Sequence, residues 1–170
     1  MIRRSLAFLI CLVAVLLVSS PAPGRPTRPP LRVLQLNLCD SGYASCYSGR
    51  AVPAAAAVFR ERRPDLVTLN EICSDDVVIF GAVLDELYPG DTVVRAFRPA
   101  YDRRTGSPFL CRNGLPYGIG LLARLPSPHH SYTVDGGLYP AQDVQDPEER
   151  AWVCMHAPAF PSPHPPWDGW

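Results

Sequence analysis

Proline limits where this chain can fold. Of its 20 prolines, five fall within residues 21–30 and five within residues 158–166. Proline locks φ and removes a backbone N–H donor, so neither stretch can enter a helix interior or a central strand. Packed structure is therefore expected only between them. A chain of 170 residues supports one domain with a sizeable core. Its 47% hydrophobic content excludes global disorder. All 16 basic residues are arginines and 16 acids balance them. Zero net charge excludes a protein held to nucleic acid by bulk charge alone.

Residues 1–24 read as a secretion signal. Arg3 and Arg4 precede an apolar run over residues 6–18, and Ser19, Ser20, Ala22 and Gly24 supply a small-residue cleavage region. The run is shorter than the ~20 apolar residues of a bilayer span, so no stable span is expected after processing. The alternative is an uncleaved anchor. Residues 25–30 are a Pro/Arg linker, residues 31–156 the domain and residues 157–170 a Pro-rich tail. The mature chain would be a secreted, extracellular monomer with 14 Arg against 16 acids, a charge of −2.

Export places the cysteines in an oxidising compartment, where disulfides form. Five remain after processing: Cys39, Cys46, Cys73, Cys111 and Cys154. Cys39 and Cys46 flank a short polar loop and are expected to pair. Cys73 with Cys111 would then tie a strand end to a later loop, which leaves Cys154 unpaired. Spacing alone does not exclude other connectivities. No CxxC pair or Cys/His cluster points to zinc.

Within the domain, residues 31–38 read as a buried strand with Leu34, Leu36 and Leu38 on one face. Residues 52–63 read as a helix, with Val52, Ala55, Ala56 and Phe59 on one stripe and Pro64 as its stop. Residues 65–71 are a second strand, whose parity puts Glu71 on the face of Val67 and Leu69. A carboxylate there needs a cation, a hydrogen-bond network or solvent. Ser74 is the expected N-cap of a second helix, with Asp75 and Asp76 in its first turn. Val77, Phe80, Leu84 and Leu87 form its apolar stripe. Further strands are expected at residues 92–98, 117–124, 131–134 and 150–155. The order implies an α/β (α+β) layered fold.

Two segments carry chemistry together. Leu-Gln-Leu-Asn37-Leu ends the first strand with an amide, and Pro-Asp-Leu-Val-Thr-Leu-Asn-Glu71 ends the next with a carboxylate. If the strands are neighbours, Asn37 and Glu71 converge, and two hard oxygen ligands suit Mg²⁺ (or Mn²⁺). At these residues the sequence resembles the endonuclease/exonuclease/phosphatase family, which is deoxyribonuclease I-like. Its "PD-hydrophobic-hydrophobic-L-Q-E" strand is matched here except that Asn70 replaces the Gln. Tyr117-Gly-Ile-Gly-Leu-Leu-Ala-Arg124 is similar to a further family strand, and Glu149-Arg150-Ala-Trp-Val-Cys to the one after it.

The resemblance implies a four-layer α/β/β/α sandwich, of which this chain supplies the N-terminal half: one mixed sheet with flanking helices. It implies divalent-metal-dependent hydrolysis of a phosphoester, from nucleic acid or a small phosphate. Glu71 would bind the metal, Asn37 would be catalytic by orienting phosphate and metal, and Arg150 would meet substrate phosphate. The bland alternatives are a turn cap for Asn37, a solvated acid for Glu71, an ion pair for Arg150 and a core role for Tyr117. Arg103, Arg104 and Arg112 make a loop basic enough to meet a polyanion, or simply a solvated loop.

The chain departs from the family after residue 156. No Thr-His-Leu strand, Gly-Asp-x-Asn turn or Ser-Asp-His end occurs, and His129, His130, His156 and His164 stand in none of these contexts. The expectation is a hydrolase truncated by a frameshift or premature stop, with impaired activity. The alternatives are a noncatalytic secreted interaction protein stabilised by disulfides, and a nonfunctional gene fragment.

Overall fold

The structure, a computed structural model, describes residues 30–127 and 131–157. The expected signal segment, His129, His130, His164 and all but the first residue of the expected tail lie outside the described residues. The described residues from 31 to 157 form one compact unit.

The elements run β1 (Val33–Asn37), α1 (Ala51–Arg62), β2 (Leu66–Cys73), α2 (Asp76–Leu87), β3 (Thr92–Pro99), β4 (Tyr101–Asp102), β5 (Ser107–Pro108), β6 (Tyr117–Leu125), β7 (Thr133–Leu138), β8 (Glu148–Glu149) and β9 (Ala151–His156). The fold is α+β, built on a mixed four-stranded sheet in the order β1-β2-β6-β3. β1 and β2 are parallel and joined through α1, while β6 runs antiparallel to both β2 and β3. A parallel pair needs such a crossover, and α1 supplies it. Sequence reading foresaw neither β4–β5–β8 nor the extension of β7 to Leu138. Two-residue strands carry too little periodicity to be seen.

Both helices cover one face of the sheet. Phe59 of α1 and Phe80 of α2 are fully buried and stack with ring centroids 4.9 Å apart. They close over Val67, Leu69, Ile72 and Leu122. The opposite face buries Val94, Ala96, Leu121, Ala123 and Leu125 beneath Val134, Val153 and Met155 of the β7–β9 ribbon. Among the described residues no helix is long and apolar enough to cross a membrane.

Two local expectations are corrected. Ser74 does not cap α2. The preceding residue is Asp75, without a side-chain cap bond, and Ser74 instead donates its backbone N–H to Pro116 O at 2.9 Å. The turn is held by Asp76 Oδ2, which accepts the Cys73 N–H at 2.8 Å. The parity expected for Glu71 also fails, because a β-bulge lies between Asn70 and Ile72. Ile72, fully buried, takes the core position that alternation had assigned to Glu71.

Candidate active site

The bulge aims the site. Asn70 pairs with Ile119 and Ile72 with Gly118, so Glu71 stands opposite no residue of β6. Its φ is +55°, a left-handed conformation for a residue with a side chain. Such backbone costs about 1–3 kcal/mol and persists where the surroundings impose it. Here the surroundings are β1 and the loop after it. Leu38 N donates to Asn70 O at 3.0 Å, and Asp40 N to Glu71 O at 2.8 Å. Cys39, also left-handed at φ +52°, turns the chain between these two bonds.

The same turn brings Asn37 to Glu71. Asn37 Nδ2 donates to Glu71 Oε1 at 2.7 Å, and Asn37 Oδ1 accepts the Cys39 N–H at 3.1 Å. Sequence reading offered the Asn37 oxygen as a metal ligand beside Glu71. In the structure the amide oxygen accepts one N–H, from Cys39, and keeps a second lone pair, while the amide N–H points to the carboxylate. Asn37 therefore positions Glu71 through its N–H.

Two disulfides brace the turn. Cys39 is bonded to Cys46 and Cys73 to Cys111, with Cα separations of 6.0 and 6.1 Å. Among the described residues Cys154 is free and exposed. The Cys39 and Cys46 sulfurs lie within 4.8 Å of a Glu71 carboxylate oxygen, and Asp40, Cys73 and Asp76 form a similar group. Sulfur in a disulfide is no thiolate and is a poor ligand for a hard cation. Of the first group only Glu71 is suited to Mg²⁺.

Glu71 opens into a cavity of about 450 Å³ whose lining includes Asn37, Asn70, Tyr117, Glu148 and Arg150. Tyr117 enters from β6, where Gly118 lets the strand approach β3 closely: a Cβ there would lie 2.1 Å from Arg98 O. Burial pushes the Tyr117 hydroxyl up to about 12, with Glu148 and Glu71 adding to the shift. It is thus a proton-bearing donor at neutral pH. Burial likewise pushes the Glu148 carboxyl up, against the pull of Arg150. Arg150 is both things the sequence allowed. It lines the cavity, and it is ion-paired, Nη1 to Glu148 Oε1 at 3.0 Å and Nη2 to Asp146 Oδ2 at 2.7 Å. Its charge is balanced by these two carboxylates, so what Arg150 offers an anion is oriented N–H groups and not unpaired charge.

The chain matches no protein-family model and no curated protein.

The family resemblance accordingly rests on the residues alone. Of the residues singled out from sequence, the fold brings Asn37, Glu71 and Arg150 to one cavity. It leaves His156 exposed at the end of β9, beside Thr133 and outside the cavity lining. Sequence reading missed Glu148 and assigned Tyr117 to the core. The available signal was parity: Glu148 and Arg150 are two apart and therefore share a face of an extended strand.

Behind the site lies an acidic group with a testable consequence. Asp76 is 2% exposed. Burial raises its carboxyl to about 6, a shift opposed by the Cys73 N–H and increased by Asp40 and Asp75. The folded state thus holds this proton more tightly than the unfolded chain does. Stability should fall as pH rises from about 4 through about 6, and then level off. Asp76→Asn keeps an oxygen for the Cys73 N–H and removes the charge. Urea melts should show the variant equal to wild type at pH 4 and about 2–3 kcal/mol more stable at pH 7.5. An identical pH dependence in both proteins would refute this assignment.

Proposed function

We propose that this protein is a divalent-metal-dependent phosphoester hydrolase of the endonuclease/exonuclease/phosphatase type, exported to an oxidising compartment. The single observation that carries the reading is Glu71. A strained, bulged carboxylate is bonded through one oxygen to Asn37 and opens into a cavity that also holds an arginine and a protonated tyrosine. Backbone strain of this kind concentrates at functional sites. The two disulfides support export.

The donor set fits Mg²⁺ or Mn²⁺. The second oxygen of Glu71 would hold the ion, with Asn70 and water as further oxygen donors, since Mg²⁺ usually keeps several waters and substrate oxygens. When bound, the ion supplies charge stabilisation at the phosphoryl oxygens and a more acidic water. The protein's own groups do the rest. Asn37 fixes the Glu71 carboxylate. Arg150, oriented by Asp146 and Glu148, offers its remaining N–H groups to a phosphoryl oxygen. Tyr117 presents an O–H to a second oxygen where negative charge grows.

The test is hydrolysis of a chromogenic phosphodiester, a phosphomonoester and DNA with Mg²⁺ or Mn²⁺. Turnover should vanish with chelator and return with metal. Absence of metal-dependent turnover on all three would overturn the reading. A second reading, phosphoester binding with little turnover, is favoured by one fact: among the described residues no imidazole lines the cavity. Saturable binding of a nonhydrolysable phosphodiester without turnover would select it.

A further inference from the structure

Three exposed residues beside the cavity form a unit that the reaction above does not use. Tyr43, inside the loop closed by the Cys39–Cys46 disulfide, is 69% exposed, and Tyr47, the residue after that loop, is 40% exposed. Arg112 reaches between them. Its guanidinium carbon lies 5.5 Å from the Tyr43 ring centroid and 5.8 Å from that of Tyr47. The backbone fixes this arrangement, since Arg112 N donates to Ser41 O at 2.8 Å and the adjacent Cys111 is bonded to Cys73.

Arg112 differs from its loop neighbours in charge pairing. Arg103 is paired with Glu149 at 3.2 Å and Arg104 with Asp102 at 2.8 Å. Among the described residues Arg112 has no carboxylate partner. Its guanidinium lies over two aromatic rings instead of a carboxylate. A guanidinium without a carboxylate partner can meet a phosphate in bidentate fashion. Aromatic rings interleaved with arginine are also how proteins hold single-stranded nucleic acid.

Position sets the reach. Asp40 N is bonded to Glu71 O, and the next residue, Ser41, accepts the Arg112 N–H. Two backbone hydrogen bonds and one peptide step thus link Arg112 to Glu71, while Arg112, Tyr43 and Tyr47 are not among the residues that line the cavity. A group near the cavity but outside its lining suits a neighbouring residue of the same polymer rather than the phosphate being cleaved.

We propose that Arg112, clamped by Tyr43 and Tyr47, is a second phosphate subsite that receives a flanking nucleotide of a single-stranded polynucleotide. It deepens the hydrolase reading by naming a polymeric substrate, and rests on that reading for its purpose. An anionic membrane is the weaker fit. Charge-driven membrane recognition takes several adjacent unpaired basic residues, and here two of the loop's three arginines are already neutralised.

The test is fluorescence anisotropy of a labelled single-stranded DNA in chelator, where the chain binds without turnover. Arg112→Ala should weaken binding about tenfold and lower the salt dependence by about 0.7 in log–log slope. Arg104→Ala, which removes an equal but paired charge, should leave the affinity alone. Arg112→Lys keeps charge and stem, guards against misfolding, and should retain only part of the affinity. Equal losses for Arg112→Ala and Arg104→Ala would overturn the subsite. So would an unchanged affinity, or Arg112-dependent binding to anionic vesicles in place of DNA. Lack of metal-dependent turnover would instead overturn the hydrolase reading and leave this binding result standing.

Discussion

Glu71→Gln is expected to lower metal-dependent phosphodiester turnover by about 10²–10³-fold, the range seen when one preorganised electrostatic group is removed. The substitution isolates charge. Gln keeps an oxygen where Glu71 Oε1 accepts the Asn37 N–H, so the bulge and its backbone bonds should survive. What disappears is the negative charge that would hold a divalent ion. Asn37→Ala should do less, about 10–100-fold, because it loosens the carboxylate without removing it. Raised Mg²⁺ should recover part of the Asn37→Ala loss and little of the Glu71→Gln loss. Steady-state rates against metal concentration separate the two. If Glu71→Gln matches wild type while its melt is unchanged, the site has been misassigned.

Removal of the Cys73–Cys111 disulfide should cost about 3–4 kcal/mol in the chain-entropy account, because it closes a long loop. The sequence separation is 38 residues, against 7 for Cys39–Cys46. The shorter bridge should contribute only about 2 kcal/mol by the same relation. Both Cys73 and Cys111 are 2% exposed, so alanine is the proper replacement and avoids a buried hydroxyl. The double variant should melt of the order of 10 °C lower. It should also lose site order beyond its stability loss, since Cys73 ends the strand that carries Glu71 and Cys111 precedes Arg112. Thermal melts of the two double variants check the order. A larger cost for the shorter bridge would show that loop closure is not what these bridges contribute.

Much of the fold was legible because periodicity reports burial. Phe59 and Phe80 stood on apolar stripes in the sequence and are fully buried in the structure. The first two strands and the helix between them were legible, whereas their parallel pairing is seen only in the structure. The β7–β9 ribbon was read less well. Its strand Thr133–Leu138 contains Gly136 and Gly137, which carry no apolar signal. Gly136 is there because Trp152 O would lie 2.7 Å from a Cβ. That is a cross-strand constraint, and a local pattern does not contain it.

The candidate site shows the division most clearly. The sequence by itself determined that an amide ends β1 and that a carboxylate follows the apolar run of β2, because strand length and proline stops are local properties; the strand expected to end at Glu71 continues past it to Cys73. It also determined two helices, each with one apolar stripe to bury; that both cover the same face of the sheet is a finding of the structure. Only the tertiary structure decided where Glu71 points. Alternation placed it with Val67 and Leu69. The bulge instead gives that place to Ile72, whose burial outweighs the backbone strain at Glu71. Tertiary structure also set which end of the Asn37 amide faces the carboxylate, through one bond from the Cys39 N–H. It brought Tyr117, Glu148 and Arg150 to the same cavity from β6, β8 and the turn between β8 and β9. The physical reason is common to all three. Side-chain direction at a bulge, a turn or a strand end depends on hydrogen bonds to residues distant in sequence, which local pattern does not encode.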